Sequence, residues 1–527
     1  MIDTAKLKEK ILDLAIRGKL VPQDPNDEPA SVLLEKIRAE KLQMVKEGKL
    51  KQKDIKDDTV IFVGEDNLHY EKFGDGNIKC IEDEMDFYLP KDWIAIRLQT
   101  VLKLSSGRDL TQEEYSNDII GIPYITGASN FNKESISTNR YTKYPQVVVN
   151  EGDLLITCKG TIGEIAYCPY KEAHIARQIM AIKNIFNLNS KYITICIKYY
   201  LSKIKSSAKG LIPGIAREDL LNLIIPLPSM KEQLRIVKKV EEYDSYLETL
   251  NENKQDLLES INSLKSKILD LAIRGKLVPQ DPNDEPADVL LERIRKEKEE
   301  LIKQGKIKRD KKESIIFKGD DNSYYEQFEK NTEKFDEEIP FSIPDSWQWA
   351  RLGSYTQKIT DYVASGSFAT LRENVPVLKN KDYAIMVKTA DFSNNFTQNL
   401  TYTTEHGYNY LENSNLFGGE LILSNIGSIG KVFIVPKLNQ KMTLAPNTVM
   451  IKLLNEEHRD YVYNFLLSPF GYAQLLKISG GTGIAKFNKT DLKTLLLPIP
   501  PIQEQDRIIK QINNLFDLLS EVENSIK

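Results

Sequence analysis

Cysteine and histidine are both scarce. Four of each are scattered through 527 residues, and Cys80, Cys158, Cys168 and Cys196 form no C-x-x-C pair. The common structural zinc motifs and a disulfide framework are thereby excluded, and free thiols in a reducing cytoplasm are expected. Long apolar runs are missing too. No stretch of about 18 apolar residues occurs, so no membrane span is expected. The N-terminal MIDTAKLKEKILDLAIRGKL alternates charge with hydrophobe and lacks a signal-peptide core. Catalytic signatures are equally absent: there is no N/D-P-P-Y/F methylation motif, no G-x-x-x-x-G-K-S/T phosphate loop and no recognisable carboxylate cluster of a nuclease. FGDG at 73–76 is too short to count, and it lies in a connector. The expectation is a chain that is not an enzyme.

A strong excess of one charge is lacking as well. The net charge is −4, which offers no general attraction for nucleic acid. Its distribution is uneven, however. Residues 91–229 hold 17 Lys/Arg against 12 Asp/Glu, residues 344–500 hold 15 against 12, and the remainder carries the negative balance. Two mildly basic modules thus sit on an acidic frame.

What is present is a repeat. KILDLAIRGKLVPQDPNDEPA occupies Lys10–Ala30 and recurs letter for letter at Lys267–Ala287, an offset of 257. So long a spacing means duplicated domains rather than a solenoid, whose periods are roughly 20–50 residues. The repeat continues more weakly: SVLLEKIRAEK (31–41) answers DVLLERIRKEK (288–298), IFVGEDNLHYEKF (61–73) answers IFKGDDNSYYEQF (316–328), and LPKDWIAIRL (89–98) answers IPDSWQWARL (343–352). In each copy helical periodicity runs to a glycine, Gly18 or Gly275, suited to the left-handed conformation that ends a helix, and Pro22 or Pro279 forbids its resumption. Pro29 and Pro286 suit the first turn of a following helix.

Beyond Trp93 and Trp347, both read as core residues, the pattern turns to short β-type runs broken by Gly, Asn and Pro. A G-x-I-G turn stands in each module, Gly160–Gly163 and Gly427–Gly430. Otherwise the modules share little. Each closes on a proline-punctuated strand and gives way to a long helix. Ile236, Val240, Tyr243, Leu247, Leu250, Lys254, Leu257, Ile261, Leu264, Ile268 and Leu271 alternate spacings of four and three, the mark of a coiled coil. Ile508, Ile512, Leu515, Leu519, Val522 and Ile526 begin a second such seam, which Leu7, Ile11 and Leu14 continue at the other terminus. The repeats therefore form a circle cut once within a helix. The arms are expected to run antiparallel, with a module at each end of a rod. At about 1.5 Å per residue, Ile236–Leu271 spans roughly 54 Å. Lys254, the one polar seam residue, is expected to face the Lys527 carboxylate or to fill the missing turn.

This circular layout resembles the specificity (S) subunits of type I restriction–modification systems. The resemblance rests on the duplicated LAIRGKLVPQDPNDEPA block, the P-x-x-W…RL start of each module and the IPLP/PIP…EQ-RI passage into a helix, and it covers essentially the whole chain. It implies an α+β fold: two mixed α/β target-recognition domains separated by a long antiparallel helical coiled coil, in a pseudo-two-fold circular repeat. The divisions expected are a repeated helical region with connector (1–88), the first recognition domain (89–228), a central helical region with connector (229–342), the second recognition domain (343–500) and a C-terminal helix (501–527). The partners implied are double-stranded DNA with an asymmetric bipartite site, two methyltransferase (modification) subunits, and restriction subunits in the full complex. No cofactor is expected on this chain; S-adenosylmethionine belongs to the methyltransferase partner, ATP and Mg to the restriction partner. No membrane contact is expected, and the location is cytoplasmic. The alternative is a coiled-coil scaffold whose modules bind other ligands.

Base readout needs Arg, Lys, Asn, Gln or Ser/Thr at base edges, and phosphate clamping needs cations or exposed backbone NH groups. In the first module the candidates are Lys159, Thr161, Arg177, Gln178, Lys209 and Arg217. In the second they are Asn425, Ser428, Lys431, Asn447, Thr448, Lys486 and Asn488. Corresponding positions carry different residue types, as two different target sequences require. For partner docking the candidates are the corners Arg17–Gly18 and Arg274–Gly275.

Overall fold

The computed structural model describes residues 3–526 except 51, 53, 54, 56, 57, 133, 134, 185, 187, 208–213, 311, 312, 330, 336–338, 428 and 481–484. The chain divides into two units, Ile2–Lys254 and Gln255–Lys527, so the helix Met230–Ile273 contributes its first part to one unit and its second part to the other. No described helix is long and apolar enough to cross a membrane.

The duplicated stretch builds the same corner in each unit. In the first, helix Thr4–Ile16 starts on Asp3, whose carboxylate accepts from the Ala5 and Lys6 N–H groups. It ends where Gly18 turns left-handed (φ +63°) and Lys19 N–H donates to Leu14 O at 2.8 Å. In the second, Gly275 (φ +65°) ends helix Met230–Ile273 and Lys276 N–H donates to Leu271 O at 2.9 Å. Space demands glycine here as firmly as backbone angle does. A Cβ on Gly18 would overlap Pro90 and press on Trp93, and one on Gly275 would overlap Pro344 and press on Trp347.

Beneath each corner lies a buried carboxylate. Trp93 Nε1 donates to Glu232 at 2.9 Å and Gln23 Nε2 to its other oxygen at 3.0 Å. In the second unit Trp347 Nε1 donates to Glu504 at 2.8 Å and Gln280 Nε2 at 2.5 Å. Burial pushes both carboxyls up from the usual range, and the tryptophan donors oppose that rise. One turn further along each helix, Arg235 pairs with Asp27 and Arg507 with Asp284, both at 2.5 Å. The QDPNDEP loop is therefore a socket for the helix that leaves the module. Gln and Asp of the loop grip Glu and Arg of E-Q-x-R.

The connectors fold into small antiparallel sheets, Val60–Val63, His69–Lys72, Ile78–Cys80 in one unit and Ile315–Lys318, Tyr324–Gln327, Thr332–Lys334 in the other. Each presents a buried glutamate to the arginine of the module's first strand. Arg97 grips Glu71 through Nε (3.1 Å) and Nη2 (2.6 Å), and Arg351 grips Glu326 through the same atoms at 3.0 and 2.8 Å. Such two-pronged pairing fixes orientation as well as charge.

Each module opens and closes on neighbouring strands. Ile94–Arg97 pairs antiparallel with Ile224–Leu227, and Gln348–Arg351 with Leu496–Ile499. Between them the two modules share one topology despite their dissimilar sequences. One four-stranded sheet of the first module runs in the order Ile165–Tyr167, Leu154–Thr157, Ile179–Lys183, Lys103–Ser106; its counterpart runs Val432–Ile434, Leu421–Ser424, Thr448–Lys452, Lys358–Asp361. The other sheets carry a parallel pair at their centre, Ile122–Ile125 with Glu172–Ile175 and Ala384–Val387 with Lys441–Leu444. Side chains alternate across each strand. Leu154 and Ile156 join the core shared with helices Thr4–Ile16 and Met230–Ile273, whereas Leu155 packs with Ile125 and Ile175 between the sheets. Leu421 and Leu423 against Ile422 repeat this division. Each module thus shares a core with the helices that flank it.

The helical arms are antiparallel pairs within each unit. Thr4 bonds Asn251 and Lys8 pairs with Asp244 in the first; in the second, Lys265 pairs with Glu523 while Ile508 and Ile512 share a core with Leu269 and Ile273. One part of the expected seam needs correction. Ile236, Val240 and Ile261 are buried, but Leu257 and Leu264 are 44% and 51% exposed, and Leu269, Ala272 and Ile273 take the buried positions instead. A strict 3.5-residue repeat drifts about 20° per heptad on a straight 3.6-residue helix, so a contact stripe this long moves off the predicted column. Lys254 is half-buried; Lys527, its expected partner, lies outside the described residues.

Two measurements test this architecture. Gly18→Ala should lower the melting temperature more than Gly48→Ala. Both carry positive φ, worth about 1 kcal/mol to a non-glycine residue, but only Gly18 also lacks room for a Cβ. Trp347→Phe removes one donor from a buried carboxylate, a loss of about 1–3 kcal/mol. Glu504 has a folded pKa above its ordinary 4.5, so its favourable contribution is complete below pH 4.5 and disappears as pH rises through the folded value. The stability gap between variant and native chain should therefore be widest near neutrality and narrow on acidification.

Candidate nucleic-acid interface

In each module several loops leave the two sheets at the same end. In the first, Ser106 and Thr157 stand opposite Met180 and Ile179 in the strand register, which puts Gly107–Asp109, Cys158–Glu164 and Ala176–Gln178 together. The segment after Ile125 joins them, because Ala176 N–H donates to Ile125 O at 2.9 Å. Backbone bonds lock the group. Cys158 N–H donates to Gln178 O at 2.8 Å, and Ile215 N–H to Cys158 O at 3.0 Å. The second module repeats the lock with different side chains: Asn425 N–H donates to Asn447 O at 3.2 Å, and Phe487 N–H to Asn425 O at 3.1 Å. Cys158, Gln178 and Ile215 therefore occupy the places of Asn425, Asn447 and Phe487.

The sequence-derived candidates fall unevenly on this end. Lys159 and Thr161 are exposed on the glycine turn, where Gly160 and Gly163 carry φ of +77° and +81°. Arg177 is exposed and pairs with Asp109 at 2.7 Å, and Gln178 is exposed beside it. Arg217 is exposed but donates to Leu104 O at 2.8 Å, pinning the strand Lys103–Ser106. In the second module Lys431, Asn447 and Lys486 are exposed, and Asn447 holds a left-handed backbone (φ +67°). Asn425 is half-buried and spends its amide on Phe487 O. Asn488 caps helix Lys489–Lys493, accepting from Thr490 and Asp491 N–H. Thr448 is a correction: it is buried, and its hydroxyl donates to Ala445 O at 2.6 Å, so it closes the turn from inside rather than facing a ligand. Lys209 and Ser428 lie outside the described residues.

Arg17 and Arg274 are engaged at their corners. Arg17 bonds Asp13 and Asp86 O; Arg274 bonds Asp270 and stacks 4.2 Å over Phe341. Gly18 and Gly275 are explained by the packing of Pro90 and Pro344. Trp93 and Trp347 are core residues, 4% and 2% exposed.

Arg108 was missed by the sequence reading. It is exposed at the same end, and its N–H donates to Ile175 O at 2.9 Å. Its carbonyl is held by buried His174, whose Nε2 donates to Arg108 O at 2.9 Å, while Nδ1 lies 3.1 Å from Val147 N and 3.0 Å from Val147 O. Burial pushes the His174 imidazole down from its ordinary 6.5. A strand-end arginine after a tight Ser-Ser-Gly carries a turn signal, but only the fold brings it to Gln178. The second-module loop following Val387 enters this end in the same manner, since Ala445 N–H donates to Val387 O at 3.1 Å. Among the described residues no group of three or more His, Cys, Asp and Glu side chains is placed to hold a metal ion.

The model of the type I restriction modification DNA specificity domain matches the chain twice, over residues 90–260 and 356–527. The chain belongs to the type I restriction–modification specificity family. The type I restriction enzyme EcoEI specificity subunit of Escherichia coli is 28% identical over 595 aligned residues, covering 99% of this chain and 90% of that one. The EcoAI specificity subunit of the same organism is also 28% identical, with the same coverages. Among solved structures, the HsdS subunit from Thermoanaerobacter tengcongensis aligns over 84% of this chain and 93% of its own at 15% identity, with a TM-score of 0.43. The family's model spans the first module, and the second from just after its opening strand, each together with the helix that follows.

Because burial disfavours the charged form of His174, acid should loosen this end. A folded pKa below 6.5 means its stabilisation is complete above pH 6.5 and is lost as pH falls through the folded value. Melting curves of the native chain should therefore decline below about pH 6.5 more steeply than those of His174→Gln.

Proposed function

We propose that the chain is the sequence-reading subunit of a type I restriction–modification enzyme, each module recognising one half of an asymmetric bipartite site in double-stranded DNA. The observation carrying this is the pair of matching backbone locks with different residues upon them. Cys158, Gln178 and Ile215 stand where Asn425, Asn447 and Phe487 stand, within a shared topology. One frame holding two unlike reading heads suits two unlike half-sites, and membership of the specificity family supports it. Base edges are read by side chains such as Gln178 and Asn447, while Lys159, Arg177, Lys431 and Lys486 meet phosphates or guanines. Arg108 joins them.

In this reading the near-identical corners and helical arms present one surface twice, to two methyltransferase subunits, and through them to restriction subunits. The chain itself performs no chemistry. S-adenosylmethionine is bound by the methyltransferase, and ATP with Mg by the restriction subunit. The assembly works in the cytoplasm and sets the spacing between half-sites by the helices. Nothing favours the alternative of a scaffold for other ligands.

Mapping methylated adenines in cells that express the chain with its modification subunits tests the proposal. The expected outcome is one asymmetric motif of two halves with a fixed gap. Purified complex should lose affinity with salt at a log–log slope of about −0.9 per phosphate neutralised. Methylation without sequence preference, or binding indifferent to salt, would sink it.

A further inference from the structure

The second module carries an open notch of about 400 Å³ lined by Lys379, Asn380, Lys381, Thr397, Gln398 and Asn399 together with Leu400 and Tyr402. None of its lining residues is a carboxylate. Among the described residues the side chains of Lys379, Asn380, Lys381, Gln398 and Asn399 are exposed and make no hydrogen bond or ion pair within the chain. The carboxylate next in sequence, Asp382, accepts from the Tyr383 N–H. The notch thus presents three amides and two ammonium groups to solvent.

Lys379, Asn380 and Lys381 precede the strand Ala384–Val387, whereas Thr397, Gln398 and Asn399 lie on the loop that follows it, and that loop is held in one shape. Asn395, Phe396 and Asn399 all adopt left-handed backbone (φ +50°, +58° and +54°), a conformation a bulky residue such as phenylalanine keeps only where its surroundings impose it. The surroundings here are aromatic: Phe396 meets Phe392 edge-on at 5.0 Å, and Phe392 stacks on Phe433 at 4.4 Å. Asn394 Nδ2 donates to Gln398 O at 2.8 Å and Lys388 Nζ to Asn399 O at 3.0 Å. Thr397 Oγ1 closes the turn on Asn394 O at 2.6 Å. The inner carbonyls are thus tied down and the outer amides left pointing away. This loop begins at Lys388, directly after the strand whose Val387 carbonyl meets Ala445, so it arises at the end of the sheets that carries Asn447.

We propose that this notch is a base-reading element of the second module, with Asn380, Gln398 and Asn399 addressing base edges and Lys379 and Lys381 the flanking phosphates. The inference rests on the DNA-recognition reading above and places specificity on residues outside the glycine-turn set. Asparagine and glutamine match the paired donor and acceptor of adenine in the major groove, and the loop already fixed in shape lets Gln398 and Asn399 do so without ordering on contact.

The test uses the complex of the full chain with its modification subunits and a duplex pool randomised at both half-sites. In Asn380→Ala/Gln398→Ala/Asn399→Gly, glycine keeps the left-handed backbone while removing the amide. The expected result is relaxed or altered sequence at one half-site only, with the other half and the gap unchanged. Lys379→Ala/Lys381→Ala should leave the motif intact and make the salt slope shallower by about 0.9 for each phosphate no longer neutralised. An unchanged motif in the first variant together with an unchanged slope in the second would overturn the proposal. Should the triple variant fail to fold by its melting curve, Asn380→Ala/Gln398→Ala, altered only at exposed side chains, answers the same question. Failure of the broader reading is separately visible: the native complex would then select no sequence from the pool at all.

Discussion

Each unit depends on a carboxylate taken out of water. Glu232 and Glu504 are 4% and 0% exposed, an unfavourable setting for a charge without partners. The partners that make it tolerable come from two separate stretches, the tryptophan that begins the module and the glutamine of the duplicated loop, and meet on the helix that leaves the module. Two hydrogen bonds therefore join segments more than 130 residues apart in the first unit and more than 150 in the second. The proline and tryptophan that crowd Gly18 and Gly275 belong to the same junction. So do the arginine–aspartate pairs one turn along.

This junction accounts for several of the identical residues in the two copies of the stretch. Gln23 and Gln280, Asp27 and Asp284, Gly18 and Gly275 each have a named counterpart on the module or the leaving helix, and those counterparts are duplicated too. A change in one partner alone would leave a buried charge or donor unmatched, which costs more than the bond itself contributes.

Much of the architecture was legible from spacing. The repeat, the glycine helix ends, the buried tryptophans and the direction of the arms all follow from residue pattern. Three things did not. The drift of the helical seam away from Leu257 and Leu264 depends on how nearly straight the helix runs, which no heptad count reports. The connector sheets were hidden because their strands are only three or four residues long. The contact residues were the least legible: Thr448 has the chemistry of a reader but is turned inward by its strand register, Asn488 is consumed as a helix cap, and Arg108 is placed by a histidine 66 residues away. Side-chain type states what a residue could do. Only register and capping state whether it is free to do it.

The adjacent first and last strands of each module have a consequence for chain entropy. Because Arg97 stands opposite Ile224, and Arg351 opposite Leu496, everything between them is, to the frame, a closed loop with fixed ends. The entropy of closing a loop grows only with the logarithm of its length, by about 0.6 kcal/mol per doubling. Residues 98–223 and 352–495 already differ in length, yet both return to the same two-strand clasp. The frame is thus nearly indifferent to how large its inserts are, and a reading head can grow, shrink or be rebuilt without loosening the helices that hold it.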